Sequence, residues 1–131
     1  MLKIRPATPE DAFDIATINT LGWKTTYRGL VSDKLLDMLS VTEKRIENFK
    51  EQILKFEIFL IAENGKGSII GYLSGGKSWD DVPYEYEIYG FYVHPDFQRK
   101  GVGSNLFDKF KEKIQGSILP FLNEPSMKII K

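Results

Sequence analysis

The chain has 131 residues, 42% of them hydrophobic and 13% aromatic, with 18 basic and 18 acidic side chains. That length suits one domain, and the apolar content is too high for a disordered chain. Zero cysteines exclude a disulfide framework, a thiolate metal site and a cysteine nucleophile, and the single histidine, His94, excludes a histidine-only metal cluster. Balanced charge speaks against a dedicated nucleic-acid binder, which needs a large basic excess. No apolar run approaches the ~20 residues of a membrane span, and no apolar h-region follows the basic residues of the N-terminus. The expectation is a cytoplasmic protein without a nucleic-acid or membrane partner.

Residues 2–5 alternate apolar and charged, as a half-buried strand does. Thr8-Pro9-Glu10-Asp11 starts a helix: Thr8 can cap it, Pro9 suits its first position, and the two acids meet the positive end of the dipole. Ala12, Ile15, Ala16, Ile18 and Leu21 form its stripe, and Gly22 is expected to end it, leaving residues 23–29 as an aromatic-rich connection. A short helix capped by Ser32 carries Leu35, Leu36 and Leu39, and a third starts near Thr42 with Ile46, Phe49 and Ile53 on one face. Residues 56–62 are a nearly continuous apolar run, which reads as a central strand. Asn64-Gly65 turns the chain, and residues 68–74 return as the hairpin partner. Residues 75–83 read as a polar loop containing Trp79, Asp80 and Asp81, followed by a long aromatic-rich strand over 84–93.

A loop over 94–100 leads into a helix over 101–115, whose stripe is Leu106, Phe107, Phe110 and Ile114 and whose stop is Gly116. Residues 117–122 read as a short last strand, kept to a sheet edge by Pro120. The order β-α-α-α-β-β-β-α-β predicts an α+β fold in one domain over 1–131: a mixed, mostly antiparallel sheet with helices on both faces.

The stretch Val93-His94-Pro95-Asp96-Phe97-Gln98-Arg99-Lys100-Gly101-Val102-Gly103-Ser104 passes from a strand through a loop into a helix. A helix N-terminus offers unpaired N–H donors and about half a positive charge, which suits a phosphate. Gly101 and Gly103 carry no β-carbon, so an anion can approach the backbone, and Arg99 and Lys100 add cations on the same rim. The alternative is an ordinary glycine-rich turn with two solvated basic residues. The Lys-Ser/Thr of a P-loop and the third glycine of a dinucleotide fold are both missing, which weakens ATP and NAD as ligands.

That string resembles the acetyl-CoA-binding motif of the GNAT N-acetyltransferases, Q/R-x-x-G-x-G/A, with Gln98, Gly101 and Gly103 at its fixed positions. Ile4-Arg5-Pro6-Ala7-Thr8-Pro9-Glu10-Asp11 resembles the family's first strand and helix start, and Thr26-Tyr27-Arg28-Gly29 a segment common in one of its branches. The resemblance implies an acyl-CoA N-acyltransferase-like fold and acetyl transfer from acetyl-CoA to a primary amine, by direct attack in a ternary complex and without a metal. It implies that Gln98, Arg99, Lys100, Gly101, Val102, Gly103 and Ser104 hold the pyrophosphate. It also implies that the pantetheine arm lies along Phe91, Tyr92 and Val93, at a β-bulge, with an N–H near Tyr92 or Val93 on the thioester carbonyl. Trp23 and Tyr27 would lie near the acceptor pocket, although aromatics there, like Tyr72 and Tyr89, are as often core residues.

An amine must lose a proton before it attacks, and a carboxylate is a natural base. Glu85 and Glu87 lie two apart on one strand and so point to one face. Glu87 falls where several family members carry the catalytic glutamate; the other reading of both is solvent-facing charges or ion-pair partners. Asp80 and Asp81 are weaker candidates for touching a cationic substrate. His94, in a turn before Pro95, reads as structural or solvent-facing.

The family's chain usually continues past the last strand with a helix and two further strands. That helix often carries a cofactor-contacting Asn near its start and a Tyr that protonates the departing thiolate. Asn123-Glu124-Pro125-Ser126 resembles the helix start, the Tyr position is absent, and the fold is expected to lack the last helix and strands. A bare C-terminal edge would suit a homodimer. Two alternatives accompany the enzyme: a non-catalytic acyl-CoA-binding or interaction module, and a structural domain without a cofactor. The acceptor, a small-molecule or peptide amine, is not readable from the sequence.

Overall fold

A computed structural model describes residues 2–38, 40–77, 85–117 and 126–129. Its elements follow the expected order: β1 (Lys3–Pro6), α1 (Ala12–Tyr27), α2 (Asp33–Asp37), α3 (Glu43–Lys55), β2 (Ile58–Glu63), β3 (Ile69–Lys77), β4 (Glu85–Val93), α4 (Val102–Ser117) and β5 (Ser126–Ile129). The strands form one sheet in the order β1-β2-β3-β4-β5. The first four are antiparallel, and β5 lies parallel to β4 after the α4 crossover that a parallel pair requires.

Local chemistry explains the starts of the helices. A 3₁₀ turn over Pro9–Asp11 leads into α1, and the Thr8 N–H and hydroxyl both donate to Asp11 Oδ2, at 2.8 and 3.3 Å. Thr8 was expected to cap with its own oxygen; here the longer Asp11 side chain reaches back and accepts instead. Arg5 grips the same carboxylate through both terminal nitrogens, at 2.8 and 3.0 Å, and turns its Nε to Glu63, tying β1, β2 and the start of α1 together. At α3, Thr42 Oγ1 accepts from the Arg45 N–H, as a threonine N-cap should.

Two boundaries depart from expectation. Gly22 does not end α1, which runs on to Tyr27. A β-carbon at Gly22 would sit 2.8 Å from the Tyr92 ring, so the glycine is there to let a half-buried aromatic pass beneath the helix. β3 also continues through Gly75, Gly76 and Lys77 where a loop was expected. Gly75 faces the Glu87 carbonyl and the Phe110 ring at a range no side chain tolerates, which is why glycine occupies a strand interior.

The C-terminal reading changes as well. Ser117 ends α4 instead of opening a strand, and the strand beside β4 is Ser126–Ile129. Ser126, read as part of a helix start, therefore begins β5. The alternation in Met127-Lys128-Ile129 is that of a strand, a signal that the Asn-Glu-Pro-Ser resemblance concealed. Asn123, Pro120, Tyr84, Trp79, Asp80 and Asp81 lie outside the described residues.

Each sheet face carries its own core. Leu60, Leu73, Ile88, Leu106, Phe110 and Ile114 pack under α4, whereas Ile15, Ile18, Phe49, Phe59, Ile61 and Tyr72 pack under α1 and α3. No described helix is long and apolar enough to cross a membrane.

Candidate functional site

β4 is the axis of the site. Its register against β3 pairs Ser74 with Gly90 and Gly75 with Ile88, so Tyr89 is an extra, bulged residue. The bulge resets the alternation: Tyr86 and Ile88 pack on the α4 side before it and Val93 after it, while Tyr92 packs on the α1 side. Among the described residues the ladder to β5 covers only Glu85 to Ile88, ending where the bulge begins. Beyond it the His94 N–H donates to Ile70 O at 2.8 Å and the Tyr92 carbonyl turns to Gly71, so Tyr92 and His94 spend their backbone groups on β3. By strand alternation the N–H groups of Phe91 and Val93 face the opposite edge. An N–H near Tyr92 or Val93 was expected to meet a thioester; this geometry favours Phe91 and Val93 over Tyr92.

The loop after β4 is held by its own side chains. His94 Nδ1 accepts from the Asp96 N–H at 3.1 Å, capping a 3₁₀ turn over Pro95–Phe97, which is the structural role read for it. Gln98 Nε2 donates to Val93 O at 2.9 Å, fastening the loop to the end of β4. The motif glutamine thus spends its amide N–H on shaping the loop.

Arg99 and Gly101 both take positive φ, 64° and 83°, and swing the backbone into α4. The first bond closing into the helix runs from the Asn105 N–H to Gly101 O at 3.0 Å. By helix geometry the N–H groups of Gly101, Val102, Gly103 and Ser104 have no carbonyl one turn back. Among the described residues nothing plugs this turn: a β-carbon on Gly101 would meet only Asn105 Nδ2, at 3.9 Å, and Gln98, Arg99, Lys100, Gly101 and Ser104 are exposed. Lys100 stands over the Phe97 ring, 5.7 Å from its centroid, which keeps its charge on the rim. Val102 is buried in the α4 core, and a β-carbon on Gly103 would just touch Phe91, at 3.4 Å. Exposed N–H donors, a helix N-terminus and two cationic side chains fit a pyrophosphate.

Glu87 lies two residues before the bulge and only 2% exposed. The reading of Glu87 as a solvent-facing charge is therefore corrected: the two flanking residues, Tyr86 and Ile88, pack toward α4, and Glu87 points the other way, into the sheet's α1/α3 side. Burial chiefly, and then the charges of Glu87 and Glu57, push the Tyr89 hydroxyl above its usual range. The side chain of Glu85 is outside what the structure describes.

On this side of β4 a cleft of about 330 Å³ opens between α1, α3 and the sheet. Phe49, Phe56, Tyr72 and Tyr89 supply rings; Asn19, Gln52 and Ser74 supply neutral polar groups; Gly90 lies in its wall. Asn19 Nδ2 donates to Tyr72 Oη at 3.0 Å, and Tyr89 Oη donates to Lys77 O at 2.6 Å. Burial raises Tyr72 above the ordinary tyrosine range, with the Asn19 bond acting against it. Tyr72 and Tyr89 were singled out as ambiguous aromatics, whereas Asn19 and Gln52 were missed. Asn19 had a signal, since it falls four residues after Ile15 on the buried stripe of α1, where an apolar residue would be routine.

Trp23 and Tyr27 stand elsewhere. One turn apart on the extended α1, they stack with centroids 4.9 Å apart and line a separate apolar cleft of about 320 Å³ with Val31, Leu35 and Leu36. Among the described residues the two clefts share no lining residue.

Comparison with known proteins agrees with this geometry. A family model described as the acetyltransferase (GNAT) family matches residues 14–129. The chain is 33% identical over 113 residues to the uncharacterized N-acetyltransferase YuaI of Bacillus subtilis (strain 168), covering 86% of this chain and 64% of that protein. Its fold is similar to that of PaiA N-acetyltransferase from Thermoplasma acidophilum in complex with coenzyme A (TM-score 0.73, 20% identity, 89% of this chain and 74% of that one). It is also similar to a GNAT family acetyltransferase from Brucella melitensis in complex with acetyl-CoA (TM-score 0.62, 18% identity, 89% and 70% covered). The matched range spans most of the chain and takes in both the bulged β4 and the glycine-rich turn, and the chain belongs to the GNAT acetyltransferase family.

Proposed function

We propose that the protein transfers an acetyl group from acetyl-CoA to a primary amine by direct attack in a ternary complex. The observation that carries this is the open turn at Gly101–Ser104, which lies against Phe91 and Val93, where β4 has no second strand partner among the described residues. Acetyl-CoA supplies an activated acetyl thioester. The N–H groups of Gly101, Val102, Gly103 and Ser104 would bind its pyrophosphate, with Arg99 and Lys100 on the rim. The N–H groups of Phe91 and Val93 would hold the pantetheine arm and the thioester carbonyl. Glu87 would take the proton that the ammonium form of the substrate must lose before its nitrogen can bond to the acetyl carbon. As the carbon–sulfur bond breaks, the thiolate takes up a proton, so each turnover yields an amide, free thiol and one net proton.

The test is a titration with acetyl-CoA followed by melting temperature, then a thiol assay with a panel of amines. Stabilisation of about 2.7 kcal/mol is expected at a hundred times the dissociation constant. Thiol release with an amine supports the enzyme; stabilisation without it leaves the non-catalytic acyl-CoA-binding module; no stabilisation refutes both. We also carry forward the homodimer as a proposal, because β5 has no further strand beside it among the described residues. A monomer mass by light scattering at micromolar concentration would refute it.

A further inference from the structure

We infer that the cleft between α1, α3 and the bulge of β4 is the amine site, and that it takes a small amine bearing one positive charge, an aromatic or apolar body and a neutral hydrogen-bonding group. This rests on the N-acetyltransferase reading above and moves the acceptor away from Trp23 and Tyr27, whose cleft is almost wholly apolar.

The position argues first. Tyr89 and Gly90 belong to both the cleft and the stretch of β4 whose next residue, Phe91, turns its N–H to the donor edge. With no side chain at Gly90, only the strand's backbone lies between the two sides there. A β-carbon at that position would stand 3.2 Å from Ser74 Oγ and 3.3 Å from the Tyr72 ring, occupying the cleft.

The lining argues for the chemistry. Among the described residues none that lines the cleft is charged, and the charges that act on its rings are few, Glu87 and Glu57 at Tyr89 and Arg45 at Tyr72, so the lining itself offers a polyamine no row of carboxylates and an anionic amine no cation. Four rings line the recess: a ring face attracts a single ammonium, and faces and edges together bury an aromatic body. The rings are already fixed: Phe49 is edge-on to Tyr72 at 6.1 Å, and Phe56 meets Tyr89 at 4.8 Å. Neutral polar capacity is left over. Asn19 gives its amide hydrogen to Tyr72 and keeps its carbonyl oxygen, and the Gln52 side-chain amide makes no hydrogen bond among the described residues. Polar groups in a recess that are fixed yet unspent are recognition groups waiting for a partner. The volume, about 330 Å³, is at the low end of ligand sites, which suits a small amine better than a protein surface.

Tyramine, spermidine and glutamate are suitable probes, assayed by thiol release at saturating acetyl-CoA and titrated calorimetrically into the protein. Tyramine should exceed both others in kcat/KM by about tenfold or more. Gln52→Lys, which brings a cation to the rim, should raise the tyramine KM about tenfold while leaving kcat and acetyl-CoA affinity in place. Gly90→Ala, which narrows the recess, should raise KM as well. A preference for spermidine or glutamate, an unchanged KM in Gln52→Lys, or no reaction with any probe while acetyl-CoA binds would each overturn the inference. If acetyl-CoA itself fails to bind, the transferase reading falls, and calorimetry still decides this one. Tyramine binding that Gln52→Lys abolishes keeps the cleft assignment, and absence of binding ends it.

Discussion

Under α4 the sheet is closed tightly: Leu106, Phe110 and Ile114 are fully buried against Leu60, Leu73 and Ile88, and Gly75 is bare because Phe110 needs the room. Under α1 and α3 the same strands present rings instead, and rings set edge to face leave a cleft with polar groups in its wall. The contrast assigns the work. A helix N-terminus can grip a phosphate only if the helix behind it does not shift, and the close packing of α4 provides that rigidity. A recess for a variable acceptor asks for the opposite, a surface rich in large side chains that do not fill it.

The difference can be broken by paired substitutions. Phe110→Ala should cost about 4 kcal/mol, because its site is wholly buried and cannot collapse. Phe49→Ala, at the border of an existing cleft, should cost about half as much, since part of its surface already faces empty space. Urea denaturation of both variants measures this, and equal losses would mean that the two faces are packed alike.

Next in size is Glu87→Gln. Loss of a positioned base should lower kcat by about a hundredfold, close to 2.7 kcal/mol, with acetyl-CoA affinity unchanged. An unchanged kcat in the variant would remove Glu87 from the reaction. Smaller again is the pair at Gly103. Alanine fits, since its β-carbon would rest in ordinary contact with Phe91 at 3.4 Å, whereas leucine must displace Phe91 or Val93. Gly103→Leu should weaken acetyl-CoA binding about tenfold and Gly103→Ala hardly at all, as read by calorimetry.

The donor side of this comparison was written in the sequence and the acceptor side was not, for a physical reason. The proposed phosphate cradle is local: Gln98, Gly101 and Gly103 lie within six residues, the first shaping the loop with its side chain and the glycines leaving the backbone open. The element order was legible for the same reason, through Asn64 at the hairpin, Thr42 at its helix cap and the stripe of α4. The cleft proposed for the acceptor joins Asn19, Gln52, Tyr72 and Gly90, which are distant in the chain and meet only through sheet register and helix packing. Gly22 shows the same limit. A glycine after an apolar stripe reads as a helix stop, and only the Tyr92 ring beneath it reveals that it is a packing residue. β5 was misplaced because a resemblance to a helix start outweighed a three-residue alternation.

The smallest effect belongs to a site outside both faces, where Arg5 and Thr8 hold Asp11 at the start of α1. The Arg5 guanidinium, first by its hydrogen bonds, keeps the Asp11 carboxyl below its ordinary value of 3.8, against the opposing effect of burial. A carboxyl whose value is lowered by folding contributes stability that is fully present above its unfolded value and is lost as pH falls through the folded one. Asp11→Asn should therefore cost about 1 kcal/mol at pH 7, and the gap from the parent chain should narrow below about pH 4. Urea midpoints at neutral and acid pH measure it. Because this clamp touches neither cradle nor cleft, acetyl-CoA affinity and amine KM should both stay where they are. A change in either would show that the entry of α1 is coupled to the acceptor side, which α1 helps to build through Asn19.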